Sequence, residues 1–453
     1  MKFVNRKQEL NILQEEYEKE NSFVVLYGRR RVGKTTLIQK FIEGKKAFYF
    51  FADKQNERMQ IRRFQQQMAQ YFQDDLLRKL EIYDWESIFD YFLQKIGDEK
   101  IIFVIDEFPY LCMGNKGFSS IFQRIYDEKL LKKNLMIILC GSLISMMYSE
   151  VLAYSSPLFG RRTAQIKLQA VSFPYYKEFF LRKTHHELIE MYSLTGGIPK
   201  YILSIQEKYL PLKNIKKFFL DRDHYLYSEP KFLLQEEVNE MSRYFAILHS
   251  ISLGNTKLSK IASHLALSTA GISAYISKLI DLDLIEKEIP VGEKLENTKK
   301  SLYYIKDNYL RFWFCYIYPY QSYLEIGNLE YPFHKIEKEF DVWVSKTYEN
   351  LCRESILYSK EIPFPLLETG RWWDKNTEID ILGLGEKEIV FGECKWSKKK
   401  VGLSVLQELQ EKAKKFPKKE KRVEYYILFS KSGFTNELIS LKNQSDNIIL
   451  SQF

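Results

Sequence analysis

The sequence predicts an α/β protein of several domains, and three observations support that class. Four short apolar runs in the first third alternate with stretches of helical periodicity, which is typical of a parallel sheet buried on both faces. A glycine-rich turn follows the first of these runs. The chain has 453 residues, about three domains of ordinary size, and 45% of them are hydrophobic, so each domain can bury a core.

Composition and charge exclude several classes of protein. The 28% of charged residues and 15% of aromatic residues are typical of a globular chain, so we do not expect a disordered or collagen-like protein. Five cysteines stand singly, without a Cys-x-x-Cys pair, and the amino-terminal stretch is polar. No apolar run is long enough to cross a membrane. We therefore expect a soluble cytoplasmic protein without a signal peptide and without membrane contact.

The apolar runs predict the strands of the parallel sheet, which we place at 23–27, 47–51, 101–105 and 135–140. Helical periodicity fills the gaps between them, for example over 57–73. From about residue 172 the pattern becomes helical and charged, and the last part of the chain mixes helices with short strands. We expect four domains, at 1–171, 172–240, 241–325 and 326–453.

The turn after the first strand has the sequence GRRRVGKT, which fits G-x-x-x-x-G-K-[ST]. Its glycines let the backbone curl so that N–H groups face phosphates, and the following helix adds positive potential at its amino end. Lys34 would reach the β- and γ-phosphates of a nucleotide, and Thr35 would ligate Mg²⁺. The expected nucleotide-binding residues of this loop are Gly28, Arg31, Val32, Gly33, Lys34, Thr35 and Thr36.

A second motif, IIFVIDEF, places two acids at the carboxyl end of a predicted strand. In a parallel sheet that end lies beside the phosphate loop, so we expect Asp106 to hold Mg²⁺ through water. Glu107 is expected to be the base that orients and deprotonates the attacking water. Another predicted strand is followed by Ser142, which is either a sensor of the γ-phosphate or part of an ordinary turn.

The segment 241–305 predicts a winged helix-turn-helix, because three helices precede a hairpin with a polar loop at 291–301. The third helix would expose no Arg, Asn or Gln for bidentate contacts with base edges, only Thr269, Ser273, Ser277 and Lys278. We therefore expect a structural or interaction role for this domain rather than sequence-specific recognition of DNA.

The carboxyl-terminal part carries a pattern of acids and a lysine. Asp380 is followed, after twelve intervening residues, by Glu393, Cys394 and Lys395. A turn at 383–387 would pair two strands so that Asp380 approaches Glu393 and Lys395, which share one face of their strand. Two carboxylates suit a hard divalent cation and the adjacent ammonium suits a phosphate. The pattern therefore predicts metal-assisted hydrolysis of a phosphodiester.

A basic segment begins at the same place. Between Lys395 and Arg422 the sequence has eleven basic and three acidic residues, which accounts for most of the net charge of +9. Such a surface attracts polyanions, and nucleic acid, with DNA favoured, is the partner that we expect. The alternative is a solvated, lysine-rich helix face.

Short segments along the whole chain resemble a prokaryotic ATPase family that carries a DUF234 carboxyl-terminal domain: FVNRKQEL, GRRRVGKT, VIDEFPYL, CGSLIS, SPLFGRRT and TGGIPKY. The first segment also resembles the start of ORC-like and STAND-type AAA+ ATPases, which implies that Asn5 and Arg6 lie near the adenine. The resemblance implies ATP as the nucleotide. It also implies that Arg161 or Arg162 contacts the γ-phosphate, in cis or from a neighbouring subunit.

The acidic pattern resembles the PD-(D/E)xK nuclease superfamily, and GRWWDKNTEIDIL is similar to the DUF234 signature. This resemblance implies an α/β domain like that of restriction endonucleases. It also implies that Glu349, on an upstream helix, joins Asp380 and Glu393 as a metal ligand.

The expected architecture is therefore a P-loop NTPase sheet, a helical lid, a winged helix and a restriction-endonuclease-like domain. We expect a switch that binds and hydrolyses ATP with Mg²⁺ and is coupled to a nucleic-acid effector, a metal-dependent nuclease that would use a second divalent cation. The alternative is a nucleotide-gated regulator that binds DNA or protein, with a nuclease-like domain that does not cleave. A homo-oligomer and a partner protein both stay open.

Overall fold

The computed structural model describes residues 3–294, 298, 300–417 and 422–452. The chain forms two compact units. The first unit comprises Met1–Tyr175, Ile198–Lys200 and Leu233–Asn239. The second comprises Tyr176–Gly197, Tyr201–Phe232 and Glu240–Phe453. The finer division into four domains stays a prediction.

The first unit alternates strands and helices along the chain. Its strands are β1 (Asn21–Tyr27), β2 (Ala47–Phe51), β3 (Ile101–Asp106), β4 (Leu135–Gly141) and β5 (Ala164–Lys167). Its helices are α1 (Lys7–Tyr17), α2 (Lys34–Ile42), α3 (Glu57–Tyr71), α4 (Asp75–Lys79), α5 (Trp85–Ile96), α6 (Pro109–Gly114), α7 (Phe118–Glu128) and α8 (Ile144–Met147). Each of the four strands placed from the sequence lies within β1 to β4.

These five strands form one parallel sheet in the order β2-β3-β4-β1-β5. The predicted α/β class is confirmed. β3 and β4 are buried along their whole length, as expected where helices cover both faces of a parallel sheet. Since all strands run the same way, β1, β3 and β4 end at one edge, and Tyr27 at the end of β1 lies beside Gly141 at the end of β4.

An aromatic cluster fixes helices against this sheet. The ring of Phe64 on α3 is fully buried and lies 5.3 Å from Phe48 on β2 and 5.4 Å from Phe89 on α5, between centroids. Asn56 and Asp84 cap α3 and α5, because their side chains accept the backbone N–H of the third residue of each helix. These contacts and caps hold α3 and α5 in fixed positions against the sheet.

The second unit contains a mixed sheet and most of the longer helices. Two short helices, α10 (Pro199–Ile202) and α12 (Tyr225–Gln235), pass from one unit to the other along the chain. The other helices are α9 (His185–Thr195), α11 (Pro211–Asn214), α13 (Met241–Ser252), α14 (Leu258–His264), α15 (Thr269–Asp281), α16 (Asn308–Phe312), α17 (Gln321–Glu325), α18 (Glu330–Ser355), α19 (Leu403–Lys414) and α20 (Asn436–Asn443). The strands are β6 (Ile285–Glu288), β7 (Leu302–Ile305), β8 (Glu368–Trp373), β9 (Glu378–Leu384), β10 (Glu388–Lys395), β11 (Val423–Ser430) and β12 (Ile448–Ser451).

The carboxyl-terminal sheet has the order β12-β11-β10-β9-β8. β8, β9 and β10 are antiparallel neighbours, whereas β10, β11 and β12 run parallel. At Gly392 in β10, a Cβ atom would lie 2.8 Å from the side chains of Ile381 and Ile427, so the side chains of the neighbouring strands pack directly against the backbone of this glycine. Within the described residues, no helix combines the length and the apolar character needed to cross a membrane.

The segment predicted to be a winged helix consists of α13, α14, α15 and the antiparallel hairpin β6–β7. The end of β6 leads onto the carboxyl-terminal sheet, where the Val291 N–H donates to the Arg371 carbonyl at 2.9 Å. Val291 is buried in one core cluster with Trp372, and Glu288 pairs with the Arg371 guanidinium at 3.1 Å. The hairpin is therefore attached to β8. Part of its predicted polar loop, 295–297 and 299, lies outside the described residues.

Candidate functional site

The phosphate loop curls tightly at the end of β1. Gly28 and Gly33 have φ angles of 152° and 98°, and Arg31 between them has φ of 70°, values that residues with a side chain rarely adopt. A Cβ atom on Gly28 would lie 2.5 Å from the carbonyl oxygen of Leu168, so this position requires glycine. α2 begins at Lys34, directly after the loop, and a helix amino end suits an anion.

The first residues of α2 are held by the loop and by the acidic motif. The Lys34 ammonium donates to the carbonyl oxygens of Gly28 at 2.8 Å and Arg29 at 3.1 Å. These carbonyls keep the ammonium inside the curl of the loop. Thr35 Oγ1 donates to Oδ2 of Asp106 at 2.9 Å. The structure thus brings together Thr35 and Asp106, the two residues expected to hold Mg²⁺, and their hydroxyl and carboxylate oxygens suit that cation.

Asp106 ends β3 and is buried. The Tyr49 hydroxyl donates to the same carboxylate oxygen as Thr35. Burial, together with the charge of Asp106, raises the pKa of Tyr49 far above its usual value, so Tyr49 stays a hydrogen-bond donor. Sequence reasoning missed Tyr49. Its approach to Asp106 depends on the pairing of β2 with β3, which sets Phe51 beside Asp106 and which the sequence does not reveal.

Glu107 and Ser142 contact each other at the carboxyl edge of the sheet. Oε2 of Glu107 accepts hydrogen bonds from the Ser142 backbone N–H at 3.0 Å and from its hydroxyl at 2.9 Å. Glu107 has a positive φ of 59°, which turns its side chain away from the line of β3. The predicted base and the predicted sensor are therefore neighbours, and their roles toward a nucleotide stay predictions.

Arg6 lies against the backbone of the phosphate loop. The residue is 5% exposed, and its guanidinium donates to the carbonyl oxygens of Val32 at 3.0 Å and Gln169 at 2.7 Å. Burial lowers the pKa of Arg6, and the nearby Glu9 carboxylate accepts a further bond at 3.2 Å. Arg6 therefore fixes the shape of the loop. The expected contact of Asn5 and Arg6 with adenine stays a prediction.

The structure does not bring Arg161 or Arg162 to the phosphate loop of the same chain. Arg161 lies before the start of β5, which runs parallel to β1 and pairs with its last four residues, and the Thr163 N–H donates to the Phe23 carbonyl. The loop begins at the other end of β1, about 15 Å away at 3.3 Å per residue. Arg161 instead pairs with Asp127 at 2.8 Å. Arg161 is therefore engaged away from the loop, and the expected contact of Arg161 or Arg162 with the γ-phosphate, in cis or from a neighbouring subunit, stays a prediction.

The carboxyl-terminal acids meet between two strands. β9 and β10 pair so that Ile381 lies opposite Gly392, which sets Asp380 beside Glu393. Oδ2 of Asp380 accepts the backbone N–H of Cys394 at 3.0 Å. Burial, then the charges of Glu393 and Glu349, raise the pKa of Asp380. The expected approach of Asp380 to Glu393 is therefore present.

Two lysines share the Glu393 carboxylate, whose side chain is 7% exposed. Lys395 donates to Oε1 at 2.9 Å and Lys412 donates to Oε2 at 2.8 Å. Burial opposes the charge of Lys395, but Glu393 holds its pKa above the usual value. Sequence reasoning missed Lys412. Lys412 lies on α19 three residues after the buried Leu409, and this spacing gives its helix face but not the strand that the face meets.

The predicted three-carboxylate metal site is not assembled. In the part of the chain that the structure describes, no three Asp, Glu, His or Cys side chains form a group that could hold a metal ion. Glu349 on α18 acts on Asp380 through its charge, while its own carboxylate pairs with Lys346 at 3.1 Å. Of the three expected ligands, Asp380 and Glu393 are the two that lie side by side, and binding of a metal ion by any of them stays a prediction.

Much of the basic segment is engaged within its own domain. Besides Lys395 and Lys412, Lys414 pairs with Glu411, and the Arg422 guanidinium donates to the Gly385 carbonyl at 2.7 Å. These contacts reduce the charge that is free for a polyanion. Three further lysines and one glutamate of the segment, at 418–421, lie outside the described residues.

Comparison with known proteins identifies the family. Residues 3–205 match an ATPase domain described as predominantly from Archaea. Residues 313–414 match DUF234, described as archaeal and bacterial proteins of unknown function. The chain is 34% identical over 405 residues to MJECL04, an uncharacterized protein of Methanocaldococcus jannaschii, covering 87% of each chain. The chain belongs to this family of archaeal-type ATPases.

Two other similarities agree with that assignment. The ATPase is 58% identical over 45 residues, 10% of its length, to MJ0423, an uncharacterized ATP-binding protein of the same organism, and the match covers 76% of that protein. Among solved structures it is similar to the Walker-type ATPase PABY2304 of Pyrococcus abyssi, with a TM-score of 0.54 and 22% identity over 69% of this chain and 96% of the other. This likeness shows the fold.

Proposed function

We propose that this ATPase is a nucleotide-driven switch whose carboxyl-terminal domain acts on nucleic acid as a metal-dependent nuclease. In the first unit, the curl of the phosphate loop and the Lys34 ammonium would hold the phosphates. Thr35 and Asp106 would hold Mg²⁺, which supplies charge neutralisation to the phosphates when it is bound. Glu107 would take the proton of the attacking water.

The contact between Glu107 and Ser142 supports a regulated hydrolysis. Both hydrogen bonds of Ser142 end on the same carboxylate oxygen of Glu107. An oxygen that already accepts two bonds has no lone pair left for a hydrogen bond from the attacking water. We therefore expect slow turnover until Glu107 is released from Ser142.

The meeting of Asp380 with Glu393 carries the proposal for the second unit. Their neighbouring carboxylates would hold a divalent cation, which would polarise a phosphodiester when bound. Lys395, which contacts Glu393 at 2.9 Å, would orient water or stabilise the charge on the phosphate. Nucleic acid is the substrate that this chemistry and the net charge of +9 favour.

A nuclease assay tests this proposal. The purified protein is incubated with DNA and with RNA, with Mg²⁺ or Mn²⁺, in the presence and absence of ATP. We expect cleavage by the wild type and none by Asp380→Ala, Glu393→Ala or Lys395→Ala. Glu411→Ala is the matched control, because Glu411 is an exposed acid of the same domain that pairs only with Lys414 among the described residues. Equal degradation by all five proteins would exclude the proposed site.

The second candidate is a regulator that binds DNA or protein without cutting it. It is favoured by the occupation of both Glu393 oxygens by Lys395 and Lys412, since a carboxylate that is neutralised in this way competes poorly for a cation. Binding without cleavage, unchanged by the removal of divalent cations with a chelator, would support this candidate over the nuclease.

A further inference from the structure

A short stretch of the chain, Leu233–Asn239, packs with the first unit although the residues before and after it belong to the second. We refer to it as the anchor segment. Leu233, Leu234 and Val238 are buried, so the segment is held by apolar contacts. Because the backbone continues from Asn239 almost directly into α13, a change in the packing of the anchor segment would also affect the start of that helix.

The anchor segment reaches the phosphate loop through one carboxylate. Oε2 of Glu236 accepts hydrogen bonds from the Tyr110 hydroxyl at 2.8 Å and from the Arg30 guanidinium. Arg30 also donates to the Tyr110 hydroxyl at 2.9 Å, so the three side chains form a closed triangle. Arg30 lies within the phosphate loop, and Tyr110 is three residues after Glu107.

The position of Arg30 makes Glu236 a competitor of the nucleotide. The Arg30 side chain is 26% exposed and the Glu236 side chain 36% exposed, so solvent reaches the pair and its partners can exchange. A nucleotide bound at the loop places several negative charges close enough to attract the Arg30 guanidinium. The carboxylate of Glu236 and the phosphates of the nucleotide would then compete for the Arg30 guanidinium.

We propose that Glu236 is a positioning residue for ATP binding: it pairs with Arg30 and gives up this pairing to the phosphates of ATP, which loosens the anchor segment. Linkage requires that the effect run both ways, because a ligand that loosens a contact must bind more tightly when the contact is removed. The proposal rests on the ATPase activity of the family and not on the proposed nuclease.

Substitution of Glu236 tests this exchange by calorimetric titration with ATP and Mg²⁺. Glu236→Gln keeps the shape and removes the charge, so we expect the Kd for ATP to fall about two- to fivefold, the range for a partly exposed ion pair. Glu236→Asp keeps the charge and should stay near the wild type. In an Arg30→Gln background, Glu236→Gln should change the Kd no further.

The matched control is Glu240→Gln, since Glu240 also pairs with an arginine and a tyrosine, Arg243 and Tyr275, but not with the phosphate loop. Its Kd for ATP should equal that of the wild type. A purely structural role of Glu236 predicts an unchanged or weaker affinity for ATP in the folded Glu236→Gln variant, and that result would overturn the proposal.

Amide hydrogen exchange supplies the second readout, on the unmodified protein. Peptides that span 233–239 should exchange faster when ATP and Mg²⁺ are added, because the segment loses its contact with Arg30. Slower or unchanged exchange in these peptides at saturating ATP would also overturn the proposal.

Discussion

Replacing Gly28 by alanine should impair nucleotide binding through a single added methyl group. The new Cβ atom would lie 2.5 Å from the carbonyl oxygen of Leu168, whereas atoms of this kind essentially never approach within 3.0 Å. Leu168 cannot easily retreat, because it is buried and its N–H is bonded to the Tyr27 carbonyl at 2.7 Å. The loop itself must therefore move by about half an ångström or more.

The cost of that movement sets the expected effect. Gly28 has φ of 152°, and holding a residue with a side chain in such a region costs about 1–3 kcal/mol. If the loop relieves this strain by leaving its present shape, ATP binding weakens by about tenfold or more, since each 1.4 kcal/mol is a factor of about ten in Kd.

Calorimetric titration with ATP and Mg²⁺ measures this loss. Gly33→Ala adds strain at φ of 98° without any atom within 4 Å, so it should weaken binding less than Gly28→Ala. Gly44→Ala, at φ of 74° with open space around it and outside the loop, should leave the affinity unchanged. A folded Gly28→Ala variant that binds ATP like the wild type would refute the argument.

Three other changes have defined outcomes. Glu107→Gln should keep ATP binding and lower turnover by about 10²- to 10⁴-fold, measured as phosphate release. Arg371→Met should lower the free energy of unfolding in urea by about 3 kcal/mol, because it leaves the half-buried Glu288 without its closer cation. Burial, and then the charge of His264, lower the pKa of His249 in the folded protein below its usual value of 6.5. As the pH falls through that value, the unfolded chain therefore takes up a proton on His249 before the folded protein does. Thermal stability should therefore drop below that pH, and less so in His249→Phe.

The elements that depend on local pattern are those that the sequence predicts well. The strand at 47–51 has its predicted bounds, and the phosphate loop and Asp106 meet because each follows or ends a strand of a parallel sheet, whose carboxyl ends share one edge. Asp380 and Glu393 meet for a similar reason, since a short turn joins their strands. In each case a simple rule is enough: parallel strands end at the same edge of their sheet, and a short turn pairs the two strands that it joins.

Contacts that depend on register or on distant parts of the chain are not predictable in this way. Arg161 belongs to a recognisable segment, but only the pairing of β5 with β1 shows that it lies at the amino edge of the sheet. Glu236 is 206 residues from Arg30 in the sequence, and no spacing rule connects them. Lys412 requires both the phase of a helix and the side of the sheet on which that helix packs.

The attachment of the β6–β7 hairpin to β8 has a practical consequence for dissecting the protein. A truncation between residues 325 and 326, where a domain limit is expected, would strip Val291 from Trp372 and leave Arg371 without Glu288. The isolated fragment from 326 onward would then expose the apolar surface around Trp372 and leave the Arg371 guanidinium without its partner. We expect this fragment to aggregate on expression. A fragment that starts at 240 keeps both partners and is the better choice for separate study.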